Sequence, residues 1–418
     1  MGYWTAEDLP FYYGLARTFP IGDRYFASCL AQTFPNRRFL QAGTASGLVA
    51  TRLPNPFEPN PLTGIVWDEL DQHHISWVNY FVELPEIGLY PRVWIDHPRN
   101  ARPIVEFYQD CRAGRLPAVS LLTPDLFVIS EGETQDVQAG EAFTAWFVDA
   151  VLRSPAWPHT MLIVVYDEGG GYYDHVPPPP RPLYPTTFPR RPTSHPINPE
   201  ATTGLGFRVP CIVVAPFAKA GHVSHVIYDH TSILKTIQHK WNLPPLTRRD
   251  AAAADMLDFL DLTGPPAFLQ PPPLPPPRCT YPDRHNQNRT GATATTGDPT
   301  PTPHRPSKAW RGPTPQPTVA ATVAQADPVP ISDSVHVPEG QVELGHDRRA
   351  CSPSVGLSRA ARCEHGGRMA KIVDRVVVFI QENHTTDDCR TTRGWPRPGR
   401  SARTTAPGSA RTPPRTTC

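Results

Sequence analysis

Leu162, Ile163, Val164 and Val165 form a short unbroken apolar run, and the chain turns to charge directly after it, at Asp167 and Glu168. A run with no polar face is the pattern of a strand covered on both sides, as in a parallel sheet flanked by helices. In open α/β sheets ligands gather in the crevice beyond the carboxyl ends of the strands, so adjacent carboxylates there are well placed for a metal. Gly169, Gly170 and Gly171 then free the backbone to take positive φ and turn sharply. The turn brings up Asp174 and His175. An Asp-Glu pair alone is the ordinary content of a solvated turn. With three glycines and an Asp-His on the far side, the stretch from Met161 to Val176 points to a metal or phosphate site.

The rest of the chain alternates helical and strand patterns. Thr5 to Ala16 reads as a helix start, with Thr5 as cap and Asp8 at the capping-box position, and Leu9, Tyr12, Tyr13 and Ala16 along one face. Thr33 and Asn36 bracket Phe34 and Pro35, a grouping whose plain reading is a helix cap. Asp68 to His73 predicts a helix leading into the strand ISWVNYFVEL, Ile104 to Cys111 another helix, and Ala118 to Pro124 another strand. Glu141 to Leu152 places Phe143, Trp146, Phe147, Ala150 and Val151 at helical spacing, a core-facing stripe. Val209 to Pro216 is a further buried strand, and Tyr228 to Trp241 a helix with Ile233, Leu234, Ile237 and Trp241 inward. Asp229 or Thr231 caps that helix, and His230 at its N-terminus could meet an anion. Strands alternating with helices predict an α/β fold.

Composition divides the chain. Of 418 residues, 54 are proline, far more than a packed core of this size accommodates, and they cluster. Pro177 to Pro199 reads as a long surface lid or rim beside the site. Residues 265–368 are rich in Pro, Thr, Ala and Arg without apolar period, and are expected to be a disordered linker. Lys371 to Asp388, KIVDRVVVFIQENHTTDD, is again a strand, running into Glu382, Asn383, His384, Thr385 and Thr386. Residues 389–418 hold seven arginines and no acid, which makes a core impossible there. A formal net charge of +1 gives no bulk electrostatic case for nucleic acid or an anionic membrane. The eight cysteines show no CxxC spacing, so neither a zinc ribbon nor a disulfide framework is expected. The opening MGYWTAEDLPFYY is not expected to act as a signal peptide, and no apolar run is long enough to span a bilayer.

Taken together, DEGGGYYDHV, YDHTSIL, TFPNR and QENHTTDD resemble the motif set of the bacterial phosphoesterase family that contains phosphatidylcholine-type phospholipases C and a group of acid phosphatases, within the alkaline-phosphatase-like superfamily. Several motifs in register are a specific match where one alone is weak. The resemblance covers most of Trp4 to Asp261 and Lys371 to Asp388. It implies an alkaline-phosphatase-like core, a mostly parallel sheet sandwiched by helices, and phosphoester hydrolysis on a divalent metal ion. Thr33 corresponds to the nucleophile and a metal contact, its weak hydroxyl needing coordination to attack phosphorus. Asp167, Glu168, Glu382 and Asn383 correspond to metal ligands. Asn36, His175 and His230 correspond to positions near the phosphate, where they stabilise oxygens or protonate the leaving group, with Asp174 and Asp229 orienting the histidines.

Two departures stand out. Where many relatives carry a His-Pro pair, this chain reads SEGETQDVQAG, Ser130 to Gly140, without histidine. The family's Glu-Asn strand also precedes its Thr nucleophile, whereas here it follows the linker, and the chain begins where the family is already under way. Circular permutation, the start of a neighbouring copy at Met369, and a reading-frame accident compete to explain that order, with fusion or gene damage favoured. The expected organisation is a phosphoesterase domain over residues 2–264, a linker over 265–368, a detached strand with the Glu-Asn motif over 369–388 and a disordered tail over 389–418. The expected activity is that of a phospholipase C-like phosphodiesterase, with an acid-phosphatase-type phosphomonoesterase or an inactive remnant as alternatives. Its partner is a small phosphoester or a phospholipid head group, with a membrane surface only as substrate and no nucleic acid. Family members are often exported.

Overall fold

In the computed structural model, which describes residues 3–126, 129–132, 135–179, 204–279, 369 and 372–382, the described strands form one sheet. In chain order they are β1 (Ile21–Gly22), β2 (Trp77–Phe81), β3 (Ala101–Pro103), β4 (Val119–Thr123), β5 (Thr160–Tyr166), β6 (Cys211–Val214), β7 (Val223–Ser224) and β8 (Arg375–Gln381). Across the sheet they lie as β3-β2-β4-β8-β5-β6-β1-β7. β6 runs antiparallel to both its neighbours, β5 and β1, and the other pairs are parallel. The expected α/β class with a mostly parallel sheet is therefore present.

Helices α1 (Pro10–Thr18), α2 (Thr33–Ala42), α3 (Val66–Gln72), α4 (Pro91–Asp96), α5 (Ile104–Ala113), α6 (Val137–Leu152), α7 (His230–Trp241) and α8 (Arg248–Ala252) surround it. Every residue of β5 is buried. Successive strand side chains point to opposite faces, so both faces at β5 are covered, as its unbroken apolar run requires. α1 begins later than its sequence pattern suggests. Thr5 N and Oγ1 both donate to Asp8 Oδ2, at 2.9 and 2.7 Å, but this turn precedes the helix. The helix starts at Pro10, whose fixed φ and missing N–H suit a first helical position.

β8 is detached in chain order only. It lies between β4 and β5, parallel to both, with Val378 opposite Leu121 on one side and Ile163 on the other. Val376 to Ile380 are buried, and the Phe379 ring sits 4.0 Å from that of Phe147 and 6.2 Å from that of Phe143, centroid to centroid. The apolar stripe of α6 is thus core, packed on the strand that comes last in sequence. Packing also continues past Gly264: Trp157 Nε1 donates to the Phe268 carbonyl at 2.9 Å, and the Phe268 ring is 4.6 Å from Phe19. The described residues belong to one compact unit. Residues 180–203 of the proline-rich rim, 280–368 of the linker, and everything from Asn383 onward lie outside the described residues. No described helix is long and apolar enough to cross a membrane.

Candidate active site

The register of β5 against β8 brings the two acidic motifs together. Tyr166 pairs with Gln381, so Asp167 and Glu382 leave neighbouring parallel strands at the same edge, and Asp167 N donates to the Gln381 carbonyl at 3.0 Å. Helix α2 is laid across this edge. Its C-terminal turn closes on Gly43 at φ 66, where a Cβ would stand 2.8 Å from Asp250 Oδ1 and from Thr247 Oγ1; a left-handed cap pressed against a neighbouring loop needs glycine.

From α2, Arg37 reaches into the carboxylates. Its Nε donates to Asp167 Oδ2 at 2.9 Å and its Nη1 to Glu86 Oε2 at 2.8 Å, while Nη2 lies 3.9 Å from Glu382 Oε1. All four side chains are buried. Burial opposes the guanidinium charge, but Asp167, Glu86 and Glu382 together hold it protonated beyond the ordinary arginine range. The carboxylates feel the shortage of positive charge. Burial pushes Glu86 up to about 7 against the pull of Arg37. Burial and then the charge of Asp167 push Glu382 up to about 7, with Arg37 and the Ser130 hydroxyl opposing. Ser130 holds Glu382 at both ends, its Oγ donating to Oε2 at 2.9 Å and its carbonyl accepting from Glu382 N at 3.1 Å.

Thr33 and Arg37 are four residues apart on α2, hence on one helical face. Thr33 occupies the first turn, and the helix is entered through Gln32 without a side-chain cap, so Thr33 is not the cap its context suggests. Its buried side chain makes no hydrogen bond among the described residues. In the first turn of α2, Phe34 N donates to Thr51 Oγ1 at 3.5 Å and Pro35 has no N–H, so the Thr33 N–H is the backbone donor left at that end among the described residues. Asn36 has a different task. Its Oδ1 accepts from Cys29 N at 3.0 Å, and its Nδ2 donates to the carbonyls of Ala31 at 2.9 Å and Gln32 at 3.1 Å. The amide folds the 29–32 loop back on the helix and so aims Thr33.

The two aspartates expected to orient histidines pair instead with arginines. Asp174 accepts from Arg208 Nε at 2.8 Å and Nη2 at 2.7 Å, while His175 Nδ1 lies 3.8 Å away. Asp229 caps α7 in a capping box with Ser232 and accepts from Arg249 Nε at 3.2 Å. Arg208 satisfies both oxygens of Asp174 at once, which one imidazole N–H cannot, and on Asp229 Arg249 fills Oδ2 while Thr231 fills Oδ1. His230 is fully buried rather than facing an anion: Nε2 lies 2.6 Å from the Asp167 carbonyl and Nδ1 3.1 Å from the Tyr25 hydroxyl. A carbonyl can only accept, so Nε2 carries the proton and, in the neutral ring, Nδ1 accepts from Tyr25. Burial lowers the pKa of His230, keeping the ring neutral. It braces the backbone of Asp167. His175, by contrast, is exposed.

A second buried carboxylate lies beside the first set. Glu131, at φ 67, accepts from Tyr12 Oη, from Tyr166 Oη at 2.6 Å and from Gln381 Nε2 at 3.0 Å. It stands within the segment Ser130 to Gly140. Arg37, Glu86, Ser130, Glu131, Arg208 and Arg249 were not singled out by sequence reasoning. The one signal available was the arginine inside TFPNR, whose partners lie 49 and 130 residues away.

No preassembled group of three or more His, Cys, Asp or Glu residues suited to a metal occurs among the described residues. The donor chemistry nevertheless fits a hard divalent cation. Asp167 and Glu382 are buried oxygen donors on adjacent strand ends, and one guanidinium faces three carboxylates, a local excess of negative charge that a dication balances. Glu168 Oε2 accepts from Gly170 N at 2.7 Å.

The sequence model of the phosphoesterase family matches residues 1–244. Among curated proteins the chain is similar to phospholipase C B of Mycobacterium tuberculosis, 34% identical over 311 residues that cover 65% of this chain and 58% of that protein. It is 30% identical to non-specific phospholipase C6 of Arabidopsis thaliana, covering 67% of this chain and 57% of the relative. With the non-hemolytic phospholipase C of Pseudomonas aeruginosa it shares 28% identity, over 63% of this chain and 44% of the relative. The matches span 58%, 57% and 44% of the length of these three relatives.

Proposed function

The chain belongs to the phosphoesterase family, and on that premise we propose that it hydrolyses phosphodiesters in the manner of a phospholipase C, with Thr33 as nucleophile. The observation that carries the proposal is the placement of a buried threonine hydroxyl, unbonded among the described residues, at a helix N-terminus one turn before Arg37, which is locked to carboxylates from both acidic motifs. The hydroxyl needs no partner removed before it can attack, and the positive end of the α2 dipole favours the negative charge that develops on phosphoryl oxygens. Asp167 and Glu382, joined by Glu168 and Asn383, are the residues that would hold a divalent cation, which supplies a lowered hydroxyl pKa and charge neutralisation. Arg37 fixes the spacing of Asp167 and Glu382. Asn36 aims the threonine, and His230 steadies Asp167 from behind.

In the proposed step the Thr33 hydroxyl gives up its proton to solvent, and its Oγ forms a bond to phosphorus as the bond to the leaving alcohol breaks. The exposed His175, next to the Arg208-anchored Asp174, delivers the proton that the leaving oxygen takes up. Water then releases the phosphorylated head group from Thr33. The catalytic domain so defined comprises the body, including the packed segment around Phe268, and β8. The test is hydrolysis of a chromogenic phosphodiester and of the matching monoester by the full chain, with divalent metal added and with chelator. Metal-dependent diester cleavage is the expected result. Monoester cleavage alone would move the protein to the phosphatase reading, and failure on both substrates would overturn the proposal.

A further inference from the structure

Next to the α2 N-terminus runs a loop that exposes apolar side chains it has no local reason to expose. Between Thr51 and Gly64 the sequence reads TRLPNPFEPNPLTG, and Leu53, Phe57 and Leu62 are 70%, 89% and 82% exposed. Single exposed apolar residues are ordinary, but three large ones on one short loop mark an interaction surface.

The loop is held in this state. Prolines 54, 56, 59 and 61 fix φ along it, and an Asn55 turn is closed by Phe57 N on Asn55 Oδ1 at 2.9 Å and Glu58 N on the Asn55 carbonyl at 2.7 Å. Arg38 of α2 holds Glu58 at 3.1 Å. Thr51 N donates to Gln32 Oε1 at 2.6 Å, so the loop is tied to the residue immediately before Thr33. A loop prevented from collapsing onto its own core presents its apolar tips permanently, and it does so beside the candidate nucleophile.

We propose that the loop of residues 51–64 is an interfacial docking element that inserts Leu53, Phe57 and Leu62 into a phospholipid surface and so brings the head-group phosphate level with Thr33. The occupant is a zwitterionic bilayer. The chain carries a formal net charge of only +1, and the loop's two charges are Arg52 and the paired Glu58, so attraction to anionic lipid is weak and burial of apolar surface drives binding. Leu30, Tyr172 and Tyr173, exposed on the two segments that flank the carboxylate edge, suit the same boundary, where a tyrosine keeps its ring in apolar surroundings and its hydroxyl wet. The docking element extends the phospholipase reading proposed above and rests on it for its purpose, but not for its measurement.

The experiment is co-sedimentation of the full chain with phosphatidylcholine vesicles at low and high salt, run beside hydrolysis of a water-soluble chromogenic phosphodiester. Binding is expected to persist at high salt. The triple variant Leu53→Ser, Phe57→Ser, Leu62→Ser is expected to lower the partition coefficient by roughly a hundredfold while leaving soluble-substrate hydrolysis unchanged. Phe57→Trp, alone, is expected to bind at least as well as the parent. Equal binding by parent and triple variant, binding abolished by salt, or no binding by the parent would each overturn the docking proposal. Loss of binding in the triple variant when neither protein cleaves the soluble diester would uphold docking and overturn the catalytic reading instead.

Discussion

Replacing Phe379 by alanine tests whether the strand that ends the described chain completes the core. The side chain is fully buried, with its ring against Phe147 at 4.0 Å and near Phe143 at 6.2 Å, and its strand hydrogen-bonds to a neighbour on each side. Removing a buried phenyl ring from such a site costs about 3–5 kcal/mol, the lost transfer free energy plus the cavity left behind. Against a whole-domain stability of about 5–15 kcal/mol the change is a large fraction. The assay is urea unfolding followed by far-UV circular dichroism. The midpoint is expected to fall steeply with the slope unchanged, because the surface exposed on unfolding is the same. A loss below about 1 kcal/mol, the range of surface substitutions, would refute the placement of β8 between β4 and β5.

Thr33→Ala is expected to abolish diester hydrolysis and to shift stability by less than about 1 kcal/mol, since the hydroxyl makes no hydrogen bond among the described residues; thermal melts and the chromogenic assay check both halves. Arg37→Met leaves Glu86, Asp167 and Glu382 facing one another without a counter-charge and is expected to cost about 3–5 kcal/mol at pH 8, with Arg37→Lys intermediate because an ammonium cannot bridge two carboxylates in fixed geometry; urea melts of both variants decide it. Glu141 is buried with Oε2 lacking a partner and Oε1 accepting from Tyr12 N at 3.0 Å, and burial pushes its carboxyl up to about 7, with the Tyr12 amide opposing. A carboxyl raised in the folded state contributes its full stability below its unfolded pKa of about 4.3 and loses it as pH rises through about 7. Glu141→Gln is therefore expected to match the parent at pH 4 and exceed it at pH 8 by roughly 2–3 kcal/mol. A pH-independent difference between the two would show that Glu141 does not titrate in that range.

The elements of the fold were largely legible because each carries its own local signal. The apolar run at Leu162 to Val165 lies in β5, the stripe of Phe143 and Phe147 faces the core from α6, and Val376 to Ile380 lie in β8. The start of α1 was missed by several residues because Thr5 and Asp8 do form the expected hydrogen bonds, but in a free turn. The acidic motifs were legible as ligands because carboxylates beyond buried strands are conspicuous. Their partners were not. Sequence proximity suggested Asp174 with His175 and Asp229 with His230, yet Arg208 and Arg249, 34 and 20 residues further on, offer a fork of donors that a neighbouring imidazole cannot match. Pairing between distant charges is decided by geometry that no local pattern encodes.

The order of the motifs along the chain matters less to the site than it first suggests. What places Glu382 beside Asp167 is lateral register: Thr160 to Tyr166 align with Arg375 to Gln381 over the whole of both strands. A one-residue slip would turn every β8 side chain to the opposite face, taking Phe379 away from Phe147 and exchanging the carboxylate for its neighbour at the strand end. The packing of β8's unbroken apolar run between β4 and β5 therefore sets the position of the acid that follows it, whichever side of the domain the connecting chain approaches from. Closing a long connection adds only slowly to the entropic cost, about 0.6 kcal/mol per doubling of its length, whereas burying five consecutive apolar residues contributes several times that. Core packing thus outweighs connectivity in assembling the edge where Asp167, Glu382 and Arg37 meet.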